Sequence, residues 1–197
     1  MSFAGHRAFL ELAETSLLGE GFQGVSILYL TDNEEIGSRT RAGASSTTLV
    51  HFLDVLAKVR GLSDSEQLAA VARSFAISAD AAHAVHPHHA EIADRTQRPK
   101  INGGPAIKYA AGSYATDARS AARCKLLCKE AGIPYQTFSN RADLRGGSTI
   151  GPFLSTQLPI DNVDVGIPMW GMHSLFEPMG AKDQARTVAL AKALFEI

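Results

Sequence analysis

The sequence predicts an α/β fold, and three observations carry that expectation. Short apolar runs with strand character alternate with stretches of helical length. The runs 25–30 and 75–80 each lead into carboxylates at their C-terminal ends, where open α/β sheets place their chemistry. A chain of 197 residues, 45% of them hydrophobic, is also long enough to bury a core. No repeat, low-complexity tract or flexible linker divides it, so a single domain over 1–197 is expected.

Taken in order, residues 3–18 read as a helix closed by Gly19 and Gly21, with Phe3, Leu10, Leu12, Leu17 and Leu18 among alanines and charges. Val25-Ser26-Ile27-Leu28-Tyr29-Leu30 is rich in β-formers and opened by Gly24, so it reads as a buried strand. It runs into an acidic tip containing Glu34 and Glu35. At a strand end successive side chains point to opposite sides, which lets the two carboxylates take different jobs. The plainer reading of such a pair is a solvated acidic turn. Residues 38–60 have the length of a helix ending at Gly61, with Ser45-Ser46-Thr47-Thr48 as its weak stretch. Ser63 with Glu66 three residues on is a capping pattern, opening a helix to about Arg73.

The run 75–80 is the next strand and delivers Asp80. Behind it His83, His86, His88 and His89 bring four of the seven histidines beside that carboxylate. Imidazole and carboxylate together are zinc ligands, whereas histidines beside a proline turn are also ordinary surface residues, the better reading of His88 and His89. Residues 106–109 read as a short strand in which Lys108 is an exposed edge charge. A helix is expected over 115–131, with Thr116 or Asp117 near its start and Gly132 as its stop. Strand candidates follow at 134–138 and 162–168. Between them Gly147, Ser148 and Thr149 form either a tight turn or a loop offering N–H groups and hydroxyls to an anionic or carbonyl oxygen. His173 stands alone after the last strand, and a helix over 183–195 closes the chain.

A net charge of −1 gives no basic field for nucleic acid or an anionic membrane. No signal peptide or spanning run is visible. Cys124 and Cys128, four apart in a helical stretch, disfavour a bridge and fit a reducing cytoplasm.

Five motifs in one order carry a family resemblance: Asp32-Asn33-Glu34-Glu35-Ile36-Gly37-Ser38, Ser78-Ala79-Asp80-Ala81-Ala82-His83-Ala84-Val85-His86-Pro87, Gly104-Pro105-Ala106-Ile107-Lys108, Gly147-Ser148-Thr149-Ile150-Gly151-Pro152 and Met172-His173-Ser174. Through nearly its whole length the chain resembles the aspartyl aminopeptidases, dizinc exopeptidases. The resemblance implies a three-layer fold with a central mixed sheet flanked by helices, incomplete at its N-terminal side. It implies Glu34 as general base toward a metal-held water, Glu35 and His173 as ligands of one zinc, and Asp80 as a ligand of the other. Lys108 would read an acidic side chain at the substrate's N-terminal residue, with His83, His86 and Tyr114 lining the pocket.

Members of that family are roughly twice as long, and their N-terminal part supplies a zinc-binding histidine, a bridging aspartate and a dimerisation domain. His6 does not sit in a motif like that histidine's. The chain is therefore expected to be the C-terminal part of a zinc aminopeptidase catalytic domain, with neither zinc reaching three protein ligands. A truncated, non-catalytic assembly piece is the alternative. Strands that have lost neighbours invite association, so a homo-oligomer is expected.

Overall fold

The structure, a computed structural model, describes residues 1–15, 24–144 and 146–197. Local chemistry sets several of its elements. Ser63 Oγ accepts from the Glu66 N–H while Glu66 Oε2 accepts from the Ser63 N–H at 2.8 Å, and this reciprocal cap starts helix α3, Asp64–Arg73. Asp117 and Ser120 make the same arrangement at the start of α4, Ala118–Glu130. The other helices are α1 (Ser2–Thr15), α2 (Thr48–Val59), α5 (Gly151–Gln157) and α6 (Ala181–Phe195). Among the described residues, no helix is long and apolar enough to cross a membrane.

Four strands form one mixed sheet: β1 (Phe75–His83), β2 (Ala106–Tyr109), β3 (Gln136–Ser139) and β4 (Asp161–Met169). The order is β1-β4-β2-β3. β4 runs parallel to β1 and antiparallel to β2, and β2 runs parallel to β3. Almost every residue of β4 is buried, as its central place requires. Val163, Val165 and Ile107 pack with Cys124, Leu127 and Cys128 of α4 and Leu190 of α6 to make the main core. Both cysteines are free. A second core joins Ala8 and Leu12 of α1 to Phe195 of α6, with the Phe9 and Phe195 rings edge to face at 5.4 Å.

Several expectations need correction. Residues 25–30 are extended but pair with no strand among the described residues. Their side chains find partners where their backbone does not: Ser26 Oγ donates to the Phe195 carbonyl and Leu28 packs on the second core. The helix expected over 38–60 begins only at Thr48. Asn33, Gly37 and Ser38 have φ of 60°, 94° and 59°, outside the helical range, and Ser38 O accepts from both the backbone and the hydroxyl of Ser45. Such local bonds compete with the helical ladder. Lys108 is no edge charge, because β2 lies between β4 and β3 and its side chain is buried. Strand β1 extends three residues past Asp80, and β3 starts two residues after Pro134. The expected end of the first helix at Gly19 and Gly21 lies outside the described residues.

Asp94 shapes the loop that runs beside β3. Its Oδ1 accepts from the Thr96 and Gln97 N–H groups, both at 2.8 Å, and from Thr96 Oγ1. Gln97 in turn accepts from Thr137 Oγ1 on β3. The Gln97 N–H and then the Thr96 groups hold the Asp94 carboxyl down to about 2. A carboxylate whose pKa is depressed by folding stabilises the native state above its unfolded value of roughly 4, and this is lost as the pH falls toward 2. Asp94→Asn should therefore be less stable than the wild type at about pH 6 in urea unfolding, with the gap closing as the pH drops below about 4. A gap that holds constant down to about pH 3 would contradict this.

Candidate active site

Residues 25–30 lead straight into a 3-10 turn, Glu34–Ile36, that carries both adjacent carboxylates. The turn is fixed by the Gly37 N–H donating to Glu34 O, the Ser38 N–H donating to Asn33 O, and Thr40 Oγ1 donating to Asn33 Oδ1. In a 3-10 turn successive side chains splay by roughly a third of a revolution, not to opposite sides as at a strand end. Glu34 and Glu35 still diverge, but for that reason.

Glu35 Oε2 stands 3.7 Å from His173 Nε2, with both side chains largely exposed. His173 adopts a left-handed φ of 68°, and its N–H donates to Glu177 Oε1 within the loop after β4. On the sheet, Lys108 Nζ donates to Asp80 Oδ2 at 3.0 Å and to Ala81 O at 2.8 Å. The lysine is 4% exposed and the aspartate 38%, so the pair is buried on the ammonium side and open to solvent on the carboxylate side. The Lys108 ammonium also lies 4.7 Å from the centroid of the Tyr114 ring. The resemblance gives Lys108 and Asp80 separate tasks, and the structure binds them to one another.

Glu34 joins these groups electrostatically. Burial raises its pKa first, and the negative charges of Asp80 and Glu35 raise it further against the opposing pull of Lys108 and His173. His83, at the end of β1, is held below its ordinary range by partial desolvation and then by the positive charges of Lys108 and His173. Burial pushes the Tyr114 phenol up to about 12 against a hydrogen bond with Asn140. Glu34, Glu35, Asp80, His83, Lys108, Tyr114 and His173 are thus brought to one region.

His86 belongs to a different group, its ring 6.0 Å from Trp170, 5.4 Å from His89 and 6.0 Å from His88. Gly147 and Ser148 are exposed in the loop before α5, whereas Thr149 is buried. The Thr149 N–H donates to Ser113 O and its hydroxyl to Asp164 Oδ1, so neither is turned to an incoming oxygen.

Asp164 is the residue that sequence reasoning missed. Fully buried in β4, it accepts from Ser78 Oγ at 2.6 Å, Thr149 Oγ1 and the Ala115 N–H at 2.6 Å. Its own N–H donates to Thr116 Oγ1. One carboxylate thus ties β1, the loop beside Tyr114 and the loop before α5 together beneath the site. The only signal in the sequence is a carboxylate inside an apolar strand, which a core can hold only with partners. Gly151 is the room it needs, since a Cβ there would come within 2.4 Å of Asp164 Oδ2.

As a zinc centre the arrangement is incomplete. Among the described residues no three His, Cys, Asp or Glu side chains gather where they could hold one metal ion. Glu35 with His173 is a pair, and Asp80 is engaged by Lys108. Catalytic zinc centres ordinarily have three protein ligands, so these residues alone do not fit the group.

The family profile described as "Aminopeptidase I zinc metalloprotease (M18)" matches residues 1–195. The chain belongs to the M18 peptidase family. A protein of Clostridium novyi named "Probable M18 family aminopeptidase 2" is 44% identical over 173 residues, which is 87% of this chain and 40% of the relative. In "Cryo-EM structure of the Ape4 and Nbr1 complex", a chain 32% identical superposes with a TM-score of 0.88 over 100% of this chain and 37% of its own length. The "Structure of S. cerevisiae mApe1 dodecamer" gives a TM-score of 0.79 at 28% identity, over 98% of this chain and 43% of that one. This M18 chain therefore spans about 40% of the length of the curated relatives it matches.

Asp164→Asn would set an amide against three donors. The expected loss is on the order of 2–3 kcal/mol in urea unfolding at unchanged m, and a loss under about 0.5 kcal/mol would contradict the role given to this carboxylate.

Proposed function

We propose that this chain carries the general base and part of the metal-donor set of a zinc aminopeptidase that removes acidic N-terminal residues from peptides. The observation that supports this most directly is the convergence of Glu34, Glu35, Asp80, Lys108 and His173 from separate elements of an M18 fold. Glu34 is the base: partly desolvated and beside two carboxylates, it has a raised proton affinity suited to receiving and returning a proton. Glu35 and His173 belong to one metal and Asp80 to the other. Lys108 has two of its three N–H groups committed to Asp80 and Ala81, and the third is left for a substrate carboxylate. An ammonium in so buried a position disfavours neutral side chains as partners. His83 and Tyr114 flank it. Hydrolysis belongs to the completed site, since no step can be routed through the donors present here.

That incompleteness favours a second reading for the chain by itself, a non-catalytic assembly piece that keeps the fold. Homo-oligomerisation is proposed for either reading, with support from the dodecameric relative. The cytoplasm is the proposed setting.

Function is best tested by exchanging the matched segment of the Clostridium novyi relative for this chain and assaying zinc-loaded protein on peptides that differ only at the N-terminal residue. Asp or Glu should be removed at least about tenfold faster than Ala or Leu, and Lys108→Met should erase that preference. Glu34→Gln should lower kcat by roughly 10²–10⁴ while leaving the fold intact. A preference for neutral residues, or a Glu34→Gln variant as active as its parent, would overturn the assignment.

A further inference from the structure

The loop after β4 holds two large apolar side chains out in water at the edge of the site. It leaves and rejoins the fold at one place, since Met169 bridges to Met179 and the Trp170 N–H donates to the Pro178 carbonyl. Between these ties the loop bonds to itself. The Ser174 N–H donates to Gly171 O at 2.8 Å, Ser174 Oγ donates to Phe176 O at 2.6 Å, and the Phe176 N–H donates back to Ser174 Oγ. Gly171 and His173 both take left-handed φ, and a Cβ at Gly171 would come within 2.7 Å of Ser174 Oγ. Backbone groups satisfied in this way fix the course of the tip. The tip carries Leu175, 98% exposed, and Phe176, 83% exposed. Facing it, the turn that bears Glu35 ends in Ile36, 74% exposed. Glu35 and His173 approach to 3.7 Å, so Ile36 on one wall and Leu175 with Phe176 on the other adjoin that pair. Single exposed apolar residues are ordinary, whereas three of them on two loops that meet at one pair of site residues make an apolar rim.

What meets the rim follows from the change in burial along the site. Its closed end is the buried Lys108 ammonium, and its open end is the largely exposed pair of Glu35 and His173. A peptide whose first side chain reaches Lys108 has its N-terminal residue at the closed end. An aminopeptidase cuts after that residue, so the rest of the peptide leaves past Glu35 and His173, and its second side chain arrives at the rim. We infer that Ile36, Leu175 and Phe176 form an apolar subsite for the second residue of the peptide, so that the preferred substrates carry a large apolar residue after the acidic one. The peptide's direction rests on the acidic-residue reading given above. A phenyl or isobutyl side chain in this subsite removes its own apolar surface and that of the rim from water, whereas a serine side chain removes almost none. The contact is remote from the reacting bond and acts on bound and reacting peptide alike, so it shows in Kd and KM and not in kcat.

The test is equilibrium binding to the metal-free 197-residue chain, in which Trp170, the single tryptophan, reports from the same loop. Asp-Phe-Ala-Ala, Asp-Ser-Ala-Ala, Ala-Phe-Ala-Ala and Ala-Ser-Ala-Ala are each titrated by its fluorescence. After Asp, Phe in place of Ser should tighten binding at least about tenfold. Replacing both tip residues, Leu175→Ser with Phe176→Ser, should bring Asp-Phe-Ala-Ala to the affinity of Asp-Ser-Ala-Ala with the far-UV spectrum unchanged, since the fold leaves both positions in water. Leu126→Ser, exposed on α4, should leave every affinity as it was. Preference for Asp over Ala at the first residue with Phe and Ser alike at the second would overturn the subsite and leave the acidic-residue reading standing. Preference for Phe with Asp and Ala alike would remove the peptide's direction and overturn both. The subsite is also overturned if no peptide binds at millimolar concentration, if the doubly substituted chain keeps its preference, or if that chain differs only in self-association by light scattering.

Discussion

Two strands that are not neighbours, β1 and β2, are held at fixed separation by β4 between them, and the Lys108 ammonium on β2 closes on Asp80 Oδ2 and Ala81 O on β1. The separation is roughly 10 Å, two strand spacings, which a lysine and an aspartate side chain together can span. The bridge is sensitive to backbone approach as well as to charge. Gly166 is in register with Asp80 on one side and Ala106 on the other, and a Cβ there would fall 2.7 Å from the Ala81 carbonyl carbon. A larger residue would push β1 away at the point where Lys108 grips it. Asp164, two residues earlier in the same strand, anchors Ser78, Thr149 and the Ala115 amide from below. One buried strand therefore sets both the floor of the site and the position of its only buried cation among the described residues.

Much of this was legible because it is local. The Ser63 and Glu66 cap, the four strands of the sheet and the closing helix follow from caps, punctuation and apolar periodicity, which act over a few residues. The extended character of 25–30 was equally local, but its pairing was not, since pairing depends on a neighbour that the chain's own pattern does not specify. The stretch before Thr48 misled for a different reason. The Ser45 hydroxyl there donates to the Ser38 carbonyl, Thr40 Oγ1 donates to Asn33 Oδ1, and Asn33 and Ser38 take left-handed φ, so a helix-length stretch became a loop.

The site was legible in its members and illegible in its connections. Glu34, Glu35, Asp80, Lys108 and His173 could be named from motifs, whereas the Lys108 to Asp80 bond is a consequence of strand order, which no motif states. The resemblance puts His83 and His86 in one pocket, yet the chain leaves β1 between them and sets the His86 ring edge-on to Trp170. Thr149 was read as part of an oxygen-binding loop and instead serves Asp164, a residue with no motif around it.

Among the described residues, Glu35 with His173 and Asp80 with Lys108 fall short of a three-ligand metal centre. The direct measurement is zinc bound per chain, by elemental analysis of the purified 197-residue protein after stripping and reloading. Donor sets of two and one predict a content well below one zinc per chain. A content near two, retained through dialysis, would mean that the chain completes both centres unaided and would contradict an incomplete site.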